Sequence, residues 1–272
     1  MVTAGFLGIL IAGGALGGLL LGMLGLGLGL ILVPLLALSL PHFGVNPSIS
    51  MHMAIATSLA VIAVSCVSSI LKHHMDKNVW WPLVAKFAIG NVIGAIIGSS
   101  VAHYLSTKSL KIIFAIFCLL IATKLLIGSR KKIAVSTFSL AELKLPNTFI
   151  FNLVGMVFAF LSSILGIGGG TFAVPFLCAY KVPMRHAVAV ATVCSFVVAV
   201  SALANCIILG FHLSTLPKYS LGYVYLPAFL IISVVAVVLA PFGVKLARIV
   251  PEKILKRIFA IVLIVAAINM VA

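Results

Sequence analysis

Carboxylates are almost missing from this sequence. Asp76, Glu142 and Glu252 are its only acids in 272 residues, and all three fall outside the apolar runs. That removes the paired carboxylates used to hold a catalytic metal, and it removes carboxylate proton relays inside a bilayer. Charge of either sign is scarce. No charged side chain occurs from Met1 to Leu71, and charged residues make up 8% of the whole. GxSxG, HExxH, CxxC spacing and phosphate loops are missing as well. Neither an enzyme nor a cofactor or metal is expected. The five cysteines (Cys66, Cys118, Cys178, Cys194 and Cys206) are scattered through apolar runs and read as small buried hydrophobes.

What is present is apolar. Hydrophobic residues make up 64% of the chain and the mean hydropathy is +1.37, outside the range of a soluble domain of this size. Apolar segments fall at 3–40, 50–71, 81–105, 109–128, 147–180, 184–211, 221–247 and 253–271. They lack the polar–apolar alternation of a β-barrel. The sequence therefore predicts an all-α integral membrane protein of eight hydrophobic segments, multi-pass in a bacterial inner (plasma) membrane. The N-terminal run lacks the charged start and small-residue cleavage site of a signal peptide and is expected to be retained. The formal charge of +15 comes from Lys and Arg in short loops between apolar spans. The positive-inside rule predicts them there, so the partner they imply is the lipid bilayer and not nucleic acid.

Segments one and five are too long for one crossing. Lys144 and Lys181 bracket 36 uncharged residues. As a single helix these would run about 54 Å at ~1.5 Å per residue, against a hydrocarbon core of about 30 Å. Each long segment contains a glycine run followed by proline. Gly25, Gly27, Gly29, Val33 and Pro34 recur as Gly166, Gly168, Gly170, Val174 and Pro175. Glycine costs about 1 kcal/mol inside a helix, so several together break an apolar run at a chosen place. Proline after the last glycine suits a helix restarting. The unit expected is helix, break, half-helix, used twice. Tight helix packing through small residues is the other reading of the same glycines.

The duplication continues. Ala54, Ala56 and Thr57 match Ala189, Ala191 and Thr192; Trp81-Pro82 matches Leu226-Pro227, Gly98 matches Gly243, and Leu110–Ile116 matches Leu255–Ile261. Two homologous halves follow, 1–128 and 147–272, joined by a polar, cytoplasmic linker at 129–146. Eight single crossings would divide the 18 Lys and Arg equally. If segments one and five turn back as hairpins, 15 lie on one side and only Lys108, Lys111 and Lys218 on the other. The hairpin arrangement is expected, and with it inverted repeats. The charges test only the hairpin in segment five, and the first follows from the repeat. Broken helices at matching positions of inverted repeats point to a transporter's binding site.

The residues expected to bind substrate are Gly25, Gly27, Gly29 and Pro34 in the first half and Gly166, Gly168, Gly169, Gly170 and Pro175 in the second. Thr57, Ser58, Thr192 and Ser195 join them from the segments that follow. Each hydroxyl could equally bond a carbonyl of its own helix. His52 and His186 begin segments two and six without aligning with each other. They read as interfacial residues or as proton or anion contacts. Asn91 and Asn205 are mid-segment amides that suit helix–helix hydrogen bonds, and Trp80 and Trp81 suit an interfacial aromatic belt.

The doubled motif resembles the TauE/SafE sulfite exporter family, related to 4-toluene sulfonate uptake permeases. Its pattern, G-[IL]-G-G-G-x-x-x-V-P-x-L followed by A-x-x-T, matches Gly166 to Leu177 throughout. The first copy departs from it at Leu28. The resemblance covers nearly the whole chain. It implies a small anionic substrate such as sulfite, a sulfonate or another organosulfur or carboxylate anion. A transporter, most simply an exporter, is the function expected, with a passive anion channel or a non-transporting membrane scaffold subunit as alternatives. Oligomeric state is left open, with a homodimer as one candidate.

Overall fold

In a bilayer every backbone amide must be satisfied within the protein, which makes helices of these apolar runs. The computed structural model describes residues 4–24, 28–127, 146–211, 213, 216–246 and 252–271. Gly25, Gly27 and the linker therefore lie outside the described residues. The first half holds α1 (Ala4–Leu24), α2 (Leu28–Ser39) with a 3-10 turn (Leu40–Phe43), α3 (Ser50–Met75), α4 (Trp81–Tyr104) and α5 (Thr107–Ile127). The second holds α6 (Thr148–Leu165), α7 (Gly170–Ala179), α8 (Met184–Gly210), α9 (Leu226–Leu246) and α10 (Glu252–Val271). Among the described residues, five helices are long and apolar enough to cross a membrane. A small antiparallel pair, β1 (Ser220–Leu221) and β2 (Val224–Tyr225), precedes α9 in a body that is otherwise helical, as the sequence predicts. Its turn needs Gly222, at φ +53°, where a Cβ would sit 2.6 Å from the Ile207 carbonyl oxygen.

The two long segments do fold back, but with unequal arms. The 18 residues of α6 reach about 27 Å at ~1.5 Å per residue, nearly a full crossing, while α7 has only 10 residues. Helices α1 and α2 have 21 and 12. Eight hydrophobic segments thus become ten α-helices among the described residues. In the second hairpin Phe158 stacks on Phe172 and Phe151 meets Phe176, so α7 runs antiparallel to α6. In the first, Gly17 faces Leu28 and Gly13 faces Leu32 and Leu35, giving the same sense. The prolines do not start the half-helices, contrary to the sequence expectation. Pro34 and Pro175 lie inside α2 and α7. Having no N–H, each leaves the carbonyl four residues back, Leu30 or Thr171, without its helical donor.

Glycine stripes set how closely the helices pack. Gly90, Gly94 and Gly98 of α4 lie against the carbonyls of Asn152, Met156 and Phe160 on α6, so a side chain at any of them would land on main chain. The other side of α4 exposes Ile89, Ile93 and Ile97. Likewise Gly14 and Gly18 of α1 pack on Ile232 and Ala236 of α9, and Gly243 of α9 packs on Leu19 and Gly22. Exchanging α1–α5 for α6–α10 carries the α4–α6 contact onto α9–α1, α4–α8 onto α9–α3, and α2–α3 onto α7–α8. The pairs α3–α8 and α5–α10 map onto themselves.

Because the α4–α6 contact is main chain on main chain, it has no soft atom to yield. Gly94→Leu is expected to cost about 2 kcal/mol or more in a denaturation titration of the detergent-purified protein. Gly8→Leu should stay within about 0.5 kcal/mol, since nothing lies within 4 Å of a Cβ there.

Candidate functional site

The start of α2 touches the break between α6 and α7. A Cβ on Gly29 would fall on the Gly166 carbonyl oxygen and 2.5 Å from Ile167 Cα. Only glycine permits two main chains to approach like this. At the second break, Gly166 (φ +67°) caps α6 in the left-handed region, with its N–H and that of Ile167 donating back to Ser163 and Ser162 carbonyls at 3.3 and 3.1 Å. Gly168 (φ +76°) repeats the left-handed turn beside Ile62 and Ser195. Gly169 precedes α7 against Val198, and Gly170 opens it. The chain is thereby turned and delivered to a half-helix whose first amides point back at the break.

Hydroxyls from α3 and α8 hold this turn. Ser58 donates to the Gly166 carbonyl at 2.9 Å, and the Gly170 N–H donates to Ser195 Oγ at 2.6 Å. Both serines are buried. The two threonines matched by the repeat behave differently from each other. Thr57 Oγ1 accepts the Tyr225 N–H at 3.0 Å, tying α3 to the start of α9, whereas Thr192 only donates to Val188 in its own helix at 2.8 Å. Pro34 is buried and Pro175 exposed, so Pro175 bears on the site through the freed Thr171 carbonyl and not by contact. The structure therefore brings Gly29, Ser58, Gly166, Gly168, Gly169, Gly170 and Ser195 together around one point.

Sequence reading passed over Thr171. It is 5% exposed, in the first turn of α7, and its hydroxyl has no partner among the described residues. The signal was available, since it directly follows the triple glycine. Asn152, whose Oδ1 accepts the Gly90 N–H at 2.9 Å, was also missed.

The histidines lie away from the breaks, at opposite ends of the helix pair α3–α8. Nε2 of His52 faces the carbonyls of Ala102 and Leu105 at 3.1 and 3.0 Å, and its ring stacks on Tyr223 at 5.5 Å. A cavity with room for about one water adjoins it, lined by Ser99, His103, Cys206 and Tyr223 among others. His103 Nδ1 and the Tyr223 hydroxyl share a 2.9 Å hydrogen bond, and burial raises the Tyr223 phenol above its ordinary pKa. His186 has Nδ1 2.7 Å from the Asn78 carbonyl and stacks on Trp80 at 4.4 Å. The two do not align in sequence, yet each stacks on the aromatic that leads into helix α9 or α4 of the other half. Asn205 bridges α8 to α4, donating to Ser99 and Ser100 at 2.8 and 2.9 Å. Among the described residues no three His, Cys, Asp or Glu come together as a metal site.

The chain matches the family described as sulfite exporter TauE/SafE over residues 10–270. It belongs to that family. A relative from Haemophilus influenzae, named "Probable membrane transporter protein", is 35% identical over 257 residues, covering 94% of this chain and 95% of the relative. A probable membrane transporter protein of Methanocaldococcus jannaschii is 28% identical, covering 91% and 89%. A probable membrane transporter protein of Bacillus subtilis is 29% identical over 194 residues, covering 66% of this chain and 71% of the relative. No solved structure matches.

Within this TauE/SafE chain two neighbouring hydroxyls of α8 should separate by experiment. Ser195→Ala strands the buried Gly170 N–H and is expected to cost about 1–3 kcal/mol of unfolding free energy. Thr192→Ala removes a bond within one helix and should cost less than about 1 kcal/mol in the same titration.

Proposed function

We propose that this protein carries a small oxyanion, sulfite or a sulfonate, out of the cell across a bacterial inner membrane, bound where the two glycine breaks meet. The contact of Gly29 with Gly166 and Ile167 carries this reading. Two half-helix starts, each the positive end of a helix dipole, meet there beside the hydroxyls of Ser58 and Ser195. Thr171, with its unpartnered buried hydroxyl, adds a donor there. The family name supports the substrate class, and the relatives' names support transport.

The halves are read as inverted repeats. Each contributes one hairpin that returns to its starting face and then three crossings, so the second half starts on the opposite face. The linker and 15 of the 18 basic residues then share the cytoplasmic face. The spans offer no carboxylate, and none is needed. In a cell that is negative inside, exporting one negative charge gains about 2.3 kcal/mol per 100 mV, and a dianion twice that. Membrane potential and concentration can then drive export, while alternation between faces comes from the paired halves rocking about the fixed site.

The test is purified protein in liposomes loaded with labelled sulfite, with sulfoacetate and sulfate as competitors. Efflux should saturate, speed up under an inside-negative potential and persist when the pH gradient is collapsed. Strictly proton-dependent flux would sink the driving force proposed, and unsaturable single-channel current would make the protein a channel. Gly29→Ala should reduce efflux at least tenfold in protein that still inserts, because its methyl lands on rigid main chain.

A further inference from the structure

The face of α3 that meets the break does not stop there. Ile55 and Ser58 touch Gly166, and Ile62 touches Gly168. Continuing at steps of three and four, the same face carries Ser65, Ser69 and His73 toward the end of α3 that is followed by Lys77. Ser65 and Ser69 are 0% exposed and His73 4%. Neither serine oxygen nor either ring nitrogen of His73 has a hydrogen-bond partner among the described residues. A serine buried in a membrane helix ordinarily rests on the carbonyl three or four residues back, as Ser99 and Ser163 do here. Ser65 and Ser69 have left that position and gained nothing in return within the protein. Two stranded hydroxyls one turn apart, with a stranded imidazole one turn further, are too costly to be packing.

The corresponding course along α8 is different. From Ser195 at the break, the face continues through Val198, Ala202 and Cys206 toward the other end, all buried and apolar apart from the thiol. The halves share a frame, but only one of them carries a donor-lined face away from the site.

We infer that the α3 face from Ser58 through Ser65 and Ser69 to His73 is the inner half of the substrate path, a row of hydrogen-bond donors that hands an oxyanion between the basic membrane face and the glycine breaks. The chemistry fits an oxyanion, since the hydroxyls and an imidazole N–H donate. The carboxylate that bears on the row is Asp76, which caps the end of α3 beside His73 and is paired with Lys72 at 2.8 Å. This inference rests on the transport reading for the identity of its cargo, but the solvation of the row can be tested without any substrate.

The experiment places single cysteines at Ser65 and Ser69 in a variant whose five native cysteines are replaced, and measures labelling by a negatively charged, membrane-impermeant methanethiosulfonate from each face. Val67→Cys on the exposed side of α3 and Ala202→Cys on α8 serve as controls. Labelling of the Ser65 and Ser69 positions from the basic face, at least tenfold faster than at Val67 and Ala202, is the result expected, slowed by sulfoacetate. Labelling no faster than the controls would overturn the path even if the protein transports sulfite. In liposomes, Ser65→Ala combined with Ser69→Ala should raise the half-saturating substrate concentration at the basic face at least fivefold, and the double Ser→Thr variant should restore it. A double alanine variant that transports normally would overturn the inference as well. Failure of wild-type protein to move any tested anion, with the labelling pattern intact, would instead count against the transport reading alone.

Discussion

Everything in this molecule answers to one close approach, the main chain of Gly29 against that of Gly166 and Ile167. A helix interrupted inside a bilayer exposes amides that hydrocarbon cannot satisfy, so the interruption must be buried in protein. Here the start of α2 and the break between α6 and α7 are buried against each other. That solution demands glycine on both sides, because a single Cβ would separate the strands of main chain. It also demands helices on either flank to supply the missing hydrogen bonds, which Ser58 on α3 and Ser195 on α8 do. The two helices that run between the hairpins thereby become the walls of the site.

The hairpins must also be held firmly enough for the breaks to stay in register. Lipid is as apolar as leucine, so burying apolar side chains gives little drive for helices to associate in a membrane. Close packing and polar bonds have to do it instead. The long arms α1 and α6 each lie on a helix of the opposite half through glycines spaced one turn apart, and Asn205 and Asn152 add hydrogen bonds between helices. The burial pattern of α4 follows from this: glycine faces α6 and isoleucine faces outward, so the surface that looks hydrophobic is the one that packs against nothing in the protein.

Much of this could be read from residue order. The duplication showed in matched glycines and prolines, and segment five betrayed its hairpin by being too long for one crossing and by where its flanking lysines fell. What could not be read was how the excess length divides. Composition gives no sign that α6 is nearly full length and α7 half that, because the arms are equally apolar and the boundary depends on the left-handed turns at Gly166 and Gly168. The prolines misled for a related reason. A proline inside a helix costs a hydrogen bond in water, but here the carbonyl it frees lies by the break, where polar main chain has a use. The reciprocal stacking of His52 on Tyr223 and His186 on Trp80 was invisible for another reason: it joins the halves across their interface, and the histidines are one register apart in the alignment.

Symmetric frames do not by themselves give direction. If both halves were identical, inward-facing and outward-facing states would have equal energy and the path would be equally polar at both ends. The differences between matched positions are therefore where direction must be encoded. Thr57 binds the amide of Tyr225 in the other half, while its counterpart Thr192 turns back on its own helix. Helix α3 is thus fastened to the start of α9, and the equivalent attachment of α8 to the start of α4 is made by another group, His186, on Trp80 and the Asn78 carbonyl. The face of α3 is lined with donors where that of α8 is lined with valine and alanine. On the proposed path, an anion at the basic side would meet a continuous row of donors along α3, whereas along α8 polar groups gather only at the far end, around His52, His103 and Tyr223. If the proposed export reading holds, unequal fastening and unequal solvation along equivalent helices are what would make the basic face the loading side.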